Sequence, residues 1–558
     1  MSRRPKTLSS RSGKSSVFRT TRSLALLVLV AAVFSVVSGY NQSSVARAQV
    51  PPAGGSTYYV SPDGNDTAPG TEAAPFKTIQ RAASLVDAGD TVVVRAGTYA
   101  GFQLGWDSPQ SGTAAQPITF KGDPGAVIES RNNKTADGIN LEGSSYVVID
   151  GFEVNNASGN IDRACIRTVS GRNVTVRDND VRNCGTWGIF TSHSDYVRIE
   201  DNKTSFNNSE PSDNHGIYVS NATVNPVIIG NEIQGNRGAG LHMNGDLSQG
   251  GNGLITGARI ERNVIYGNGE KGGSGINCDG VQDSLIRNNL LYGNHASGIS
   301  LYRIDAAEGA RNNVVVNNTI RMAPDGRWAV NIKNRSTGNT VSNNILLHDG
   351  PRGAINIVRD SLPGFISDHN AVTDRFSTDD GENILNLAQW RNATNQDGNS
   401  FISDPASLFV DAAANDYHLS TTSPAIDAGD PFGAPNVDLE GHGRPFDSAH
   451  DIGAYEFGST SPPAPDTAPP EISSVRVSNV KRGSVNVTWM TDEASTTVVQ
   501  YGRTAAYGKK RSNTDLVVRH GINLTGLSAN TRYHYRVQSE DEAGNLAAST
   551  DLTFKTAR

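Results

Sequence analysis

Residues 275–302 read Gly-Ile-Asn-Cys-Asp-Gly-Val-Gln-Asp-Ser-Leu-Ile-Arg-Asn-Asn-Leu-Leu-Tyr-Gly-Asn-His-Ala-Ser-Gly-Ile-Ser-Leu-Tyr. A glycine opens a short alternating strand, Asn289 stands two residues before an apolar position, Asn294 follows five residues later, and Gly298 begins the cycle again. Working outward, the strand recurs as Gly138-Ile-Asn-Leu, Gly188-Ile-Phe-Thr, Gly216-Ile-Tyr-Val, Gly240-Leu-His-Met, Ala329-Val-Asn-Ile and Ala354-Ile-Asn-Ile. The first asparagine recurs at 179, 202, 231, 263, 289, 318, 344 and 370, with spacings of 23 to 32 residues. The second recurs at 207, 236, 268 and 294, with Asn156 and Cys184 in the equivalent earlier places. Such internal repetition outranks any local reading. Short strands at unequal spacings in the mid-twenties suit a coil of three parallel strands per turn better than a leucine-rich or propeller repeat. Strands of adjacent coils stack about 4.8 Å apart, so each asparagine lies over the next and their amides form a ladder inside the bend.

This pattern resembles the right-handed parallel β-helix family, which contains pectate, alginate and chondroitinase B-type lyases, polygalacturonases and uronate epimerases. The opening segment strengthens the resemblance: Tyr58-Tyr-Val-Ser-Pro-Asp-Gly-Asn-Asp66, Pro75-Phe-Lys-Thr-Ile-Gln-Arg-Ala-Ala83 and Ala88-Gly-Asp-Thr-Val-Val-Val-Arg-Ala-Gly-Thr-Tyr99. Thr78 can start a short helix whose apolar side carries Ile79, Ala82, Ala83 and Val86 and covers the first coil, because an uncovered coil end is an open sheet edge. Near the other end, Asp427, Arg444 and Asp451 are expected to form a charge network that holds the last coil. After the Pro-rich spacer Ser461-Pro-Pro-Ala-Pro-Asp-Thr-Ala-Pro-Pro470 the strands alternate at period two. Trp489 and the Leu527–Tyr533 corner there resemble a fibronectin type III sandwich.

The expected fold is therefore all-β: a right-handed parallel β-helix of about ten coils followed by a small fibronectin type III-like β-sandwich. The expected divisions are a signal peptide over 1–48, an opening strand and capping helix over 49–116, repeats over 117–373, a cap over 374–458, a linker over 459–470 and the last domain over 471–558. The signal reading rests on a basic start, an apolar run from Ser23 to Gly39 and the small residues of Ala46-Arg47-Ala48. It implies a secreted, extracellular protein with no membrane segment after cleavage. The whole chain has 49 basic and 56 acidic residues, and eight of the basic ones precede residue 49. The remaining net charge of −15 argues against a nucleic-acid partner bound through phosphates. Three cysteines, 165, 184 and 278, allow at most one disulfide and read as packed thiols rather than metal ligands. A monomer is expected.

Stacked Gly-Ile-x-Leu strands turn their intervening residues into two exposed columns. One reads Tyr218, His242, Asn277, Ser300, Asn331, Asn356; the other reads Ser220, Asn244, Asp279, Tyr302, Lys333, Val358. Such a groove suits an extended acidic polysaccharide, with Asn277, Asp279, Tyr302, Arg303, Asn331 and Asn356 as substrate contacts. Lyases of this kind remove the C5 proton of a uronate and expel the C4 oxygen, which takes a base and a neutralising charge, either calcium or a cationic side chain. Lys333 and Arg359, 26 residues apart, are the leading catalytic pair, resembling the Lys and Arg of chondroitinase B-type and alginate lyases. Counting from ladder asparagines stacks them, whereas counting from the apolar strand residues puts Val358 over Lys333. The family's glutamates before the lysine are replaced by Asp325-Gly-Arg-Trp328, and its His-Gly by Asp360-Ser361. Asp213-Asn-His-Gly216 and Cys278-Asp-Gly280 only echo the calcium-binding turns of pectate lyases, so no metal ligand is assigned and calcium stays an option. His215, Tyr218 and His242 are a second candidate catalytic set. The leading expectation is a uronate-polysaccharide lyase; the alternative is a non-catalytic carbohydrate-binding surface protein, and the third a glycoside hydrolase or uronate epimerase.

Overall fold

The computed structural model describes residues 54–106, 109–207, 214–460, 468–541 and 543–558. The expected signal peptide, Asp213 and most of the spacer lie outside them. Three parallel sheets of 12, 11 and 12 strands wrap one core through about eleven coils. The first sheet runs from Thr57–Val60 to Ile366–Asp368, the second from Phe102–Gln103 to Phe376–Ser377, and the third from Gly97–Ala100 to Phe401–Ile402. Coiling thus begins earlier and ends later than the 117–373 span of the repeats.

The core forms because register puts like on like. Ile166, Ile189, Ile217, Leu241, Ile276, Ile299, Val330 and Ile355 are successive partners on the second sheet, all fully buried. Val219, Met243, Cys278, Leu301, Ile332 and Ile357 form a parallel column two residues on.

At the bend between the first and third sheets the expected ladder is present. The Nδ2 of Asn179, Asn202, Asn231, Asn263, Asn289, Asn318 and Asn344 each donates to the Oδ1 of the next asparagine at 2.9–3.2 Å, ending at Asn370. The residue before each rung, from Asp178 (φ 56°) to His369 (φ 52°), has a left-handed backbone that turns the chain in one step. The second ladder runs Asn207, Asn236, Asn268, Asn294, and the Cys184 N–H donates to Asn207 Oδ1 at 2.9 Å. A third pair, Asn313 and Asn339, bonded at 3.0 Å at another bend, is absent from the sequence pattern.

Helix Ile79–Ala83 is capped by Thr78 and buries Ile79, Ala82 and Ala83. Toward the other end, helix Leu387–Thr394 carries a capping box and packs Trp390 on Phe376 at 4.8 Å between ring centres. The chain then runs back along the outside of the third sheet, where Phe409, Tyr417, Leu419 and Ile452 pack on Leu290, Ile345, Leu347 and Ala371. The expected charge network forms, with Arg444 and Asp427 both acting electrostatically on Asp451, and it extends to Glu456. Buried Arg444 pairs through Nε with Glu456 at 3.3 Å and donates to the Gly453 carbonyl. Asp427 and Asp451 also accept backbone N–H groups, from Ser448 and Ala449 and from Asp427 and Phe457. The one disulfide that three cysteines allow is present between Cys165 and Cys184, and Cys278 is a packed thiol.

Residues 472–555 form six antiparallel strands joined through the long strand Ser484–Gly502. Trp489 is buried and donates to Ser539, and the Tyr533 hydroxyl accepts the Ser528 N–H at 3.0 Å, closing the corner read from sequence. Val518 of this domain packs against Leu285, Val314 and Val316 on the first sheet.

Candidate functional site

The outward row of the second sheet reads Asn140, Arg167, Phe190, Tyr218, His242, Asn277, Ser300, Asn331, Asn356 and Ser377 in unbroken register. Its middle is an aromatic floor. Trp187 stacks on Phe190 at 4.3 Å, Tyr218 meets both edge-on, and the Tyr218 ring stacks on His242 at 4.8 Å. Arg167 lies 5.6 Å from the Phe190 ring and is ion-paired with Glu142.

His215 and His242 form a directed pair. The Ala239 N–H donates to His215 Nδ1 at 3.0 Å, which fixes that nitrogen as an acceptor. In the neutral ring the proton sits on Nε2, 3.0 Å from His242 Nδ1. His242 then carries its own proton on Nε2, and that atom has no hydrogen-bond partner among the described residues. Burial pushes His242 down to about 4, and burial with the adjacent His242 holds His215 well below the usual imidazole range. Near neutral pH the pair is therefore uncharged, and its remaining N–H, on His242 Nε2, is buried without a partner among the described residues. It offers no lone pair and cannot serve as a base. Burial raises the Tyr218 phenol, so it too stays protonated, its oxygen accepting from Asn244 Nδ2 at 3.3 Å.

Several expected contact residues serve the scaffold. Asp279 is buried, and its two oxygens accept the N–H groups of Ile304, Asp305 and Ala306, which fold the turn after Tyr302. Tyr302 is buried and its hydroxyl accepts from Asn277 Nδ2 at 2.6 Å, orienting that amide. Asn356 is fully buried and donates to Asn331 Oδ1 at 2.8 Å and to Asp380 at 3.3 Å, so the groove floor is covered at this end.

Lys333 and Arg359 do not stack. Ile332 pairs with Ile357, which sets Lys333 beside Val358, and Arg359 starts the short 3-10 turn Arg359–Ser361. Lys333 Nζ lies 4.0 Å from Asp380, and Arg359 acts electrostatically on the neighbouring Asp379, helping to hold that carboxyl below its ordinary value after the bonds from Asn383. Arg303 and Arg335 line a cavity of about 300 Å³ with Ile304, Asn334 and Asp360. This cationic end lies three coils from His242, about 14 Å at the strand spacing. The two candidate sets therefore lie well apart along the sheet. Among the described residues, three carboxylate or imidazole ligand atoms converge at Asp438, Glu440 and His442, outside the groove.

Sequence reasoning missed Arg167, Phe190 and Trp187. Counting the column back from Tyr218 through Gly188-Ile-Phe yields Phe190, and Ala164-Cys-Ile-Arg yields Arg167, although that strand lacks the leading glycine.

The three stacked parallel sheets define the fold as a parallel β-helix. Residues 58–334 match the family model described as Pel9A-like, right handed beta helix region, and residues 470–556 match that of the purple acid phosphatase N-terminal domain. The chain is 26% identical over 443 residues to the Bacillus subtilis protein named YwoF, covering 66% of this chain and 92% of that one. It is 29% identical over 223 residues to pectate lyase PEL9 of Emericella nidulans, covering 38% of this chain and 48% of the lyase. Among solved structures, pectate lyase Pel9A aligns with a TM-score of 0.48 at 16% identity, over 72% of this chain and 96% of that one.

Proposed function

We propose that the protein is a secreted polysaccharide lyase that binds a uronate-containing polysaccharide along the second sheet and cleaves it by β-elimination. The observation that carries this reading is the outward Lys333 amine beside the arginine-lined cavity at one end of a polar and aromatic groove. Lys333 takes the C5 proton, those electrons form the C4–C5 double bond, and the C4–O bond breaks as its oxygen takes up the proton that Lys333 has just removed. Arg303, Arg335 and Arg359 neutralise the uronate carboxylate. Among the described residues no set of carboxylates converges in the groove as a calcium site would need: Asp279 is taken up by turn amides, and Glu142 and Asp380 face cationic side chains. Trp187 and Tyr218 hold sugars farther along the chain by stacking. The Cys165–Cys184 disulfide agrees with export to an oxidising compartment. The fibronectin-like C-terminal module is a spacer or weak binding unit.

A second reading, a non-catalytic carbohydrate-binding protein, is favoured by the Asp380 carboxylate facing Lys333, which occupies the candidate base, and by the His pair having no lone pair to offer. Incubation with pectate, alginate and chondroitin sulfate separates the two readings. Ultraviolet absorbance from an unsaturated uronate is expected with one of them; binding with no absorbance from any would replace the lyase reading with the second.

A further inference from the structure

We infer that His418, Asp438, Glu440 and His442, in the segment along the third sheet, form a binding site for a divalent transition-metal cation of the zinc type. His418 Nε2 lies 3.3 Å from Glu440 Oε2, and His442 Nδ1 lies 3.5 Å from the same oxygen and 3.7 Å from Asp438 Oδ2. These separations exceed good N–H···O hydrogen bonds. The ligand atoms of Asp438, Glu440 and His442 all lie within 4.8 Å of one another, and side-chain adjustment on binding would bring them, with His418 next to Glu440, to the edges of about 3.3 Å of a tetrahedron around zinc.

The surroundings hold the ligand atoms in place. His418 Nδ1 lies 2.7 Å from Asp416 Oδ1, the carboxylate–imidazole arrangement that fixes the proton on Nδ1 and leaves the Nε2 lone pair for a metal. Asp438 is buried; its Oδ1 accepts the N–H groups of Glu440 and His442 at 2.9 and 2.8 Å, and its Oδ2 accepts the Glu456 N–H at 3.2 Å while keeping a second lone pair. The His418 ring also packs on Tyr455 at 4.2 Å. Two carboxylates and two imidazoles neutralise a dication, and the imidazoles select zinc-type metals over calcium, which takes six to eight oxygen ligands. A metal there would tie strand Asp416–Leu419 to the turn at 438–442 and stiffen the segment that covers the third sheet.

The test uses the full chain without a histidine tag, stripped with chelator and titrated with ZnCl2, CoCl2 or CaCl2 at about pH 8, where exposed imidazoles are unprotonated. One zinc per chain is expected, with a raised melting temperature, cobalt bands of tetrahedral intensity and no comparable calcium uptake. His418→Ala/His442→Ala should weaken zinc binding on the order of 100-fold or more. Glu440→Gln, at an exposed position, supplies a variant in which folding is not at stake and should lose affinity in the same direction. No zinc uptake by the wild-type chain, or uptake unchanged in these variants, overturns the site.

Discussion

Replacing Asn289 with alanine tests whether the asparagine ladder stabilises the coil. Asn289 is fully buried. Its Nδ2 donates to the Ile260 and Arg287 carbonyls and to Asn318 Oδ1, at 2.9, 3.0 and 2.9 Å, while its Oδ1 accepts the backbone and side-chain N–H groups of Asn263 at 3.0 and 2.9 Å. Alanine removes all of these, but the losses are unequal. Asn318 Oδ1 keeps the Asn289 N–H, and Asn263 Nδ2 keeps the Ile228 carbonyl. The Asn263 backbone N–H is left without its acceptor, and a stranded buried donor costs about 1–3 kcal/mol. With the small void left in the bend, the total is about 3 kcal/mol. In a solenoid each coil contacts only its neighbours, so the weakening should appear first around residues 258–294. Urea denaturation followed by circular dichroism reads the total, and hydrogen exchange reads the location. Asn252→Ala, at an exposed position with a local bond to the Leu254 N–H, is the control and should cost under about 0.5 kcal/mol. A midpoint shift for Asn289→Ala no larger than the control's would refute the ladder's energetic role.

Two further predictions concern stability. His242 titrates near 4 when folded and near 6.5 when unfolded, so below pH 6.5 the unfolded chain binds protons that the folded chain refuses. Stability is therefore lost as pH falls from about 6.5 to 4, by at most about 3 kcal/mol for this residue, and His242→Asn should flatten the dependence of the urea midpoint across that window. Replacing Cys165 and Cys184 together with alanine should cost about 2–4 kcal/mol by releasing a closed loop in the unfolded chain, measured as a lower urea midpoint under oxidising conditions. An unchanged midpoint would mean that the bridge constrains nothing.

Much of the fold was legible because coil formation leaves a periodic imprint. Residues 179 to 370 supply the ladder rungs in the order read, and Thr78 caps the helix expected of it. The site was legible as a row but less so as chemistry. Asp279 and Asn356 look like ligands in a one-dimensional column, yet the chain after Tyr302 and around Asp380 folds back and consumes their polar atoms. Such contacts depend on loops whose length varies from coil to coil, which no strand register encodes. The Lys333 and Arg359 stack failed because two counting frames differ by one residue, and in a strand one residue is the whole difference between facing out and facing in. Which two cysteines pair was not legible, because a spacing of 19 residues acquires meaning only when the coil brings Cys165 and Cys184 together.

The proposed chemistry is tested most directly by comparing Lys333→Ala with the wild-type chain on the polysaccharide that yields an unsaturated uronate. Lys333 is half-buried at the groove edge, outside the core, and its removal leaves the ladder and apolar columns intact. The account predicts unchanged melting, nearly unchanged polysaccharide binding, and turnover reduced by about 10²–10⁴-fold for loss of the base. Elimination at the wild-type rate by the Lys333→Ala protein would contradict it.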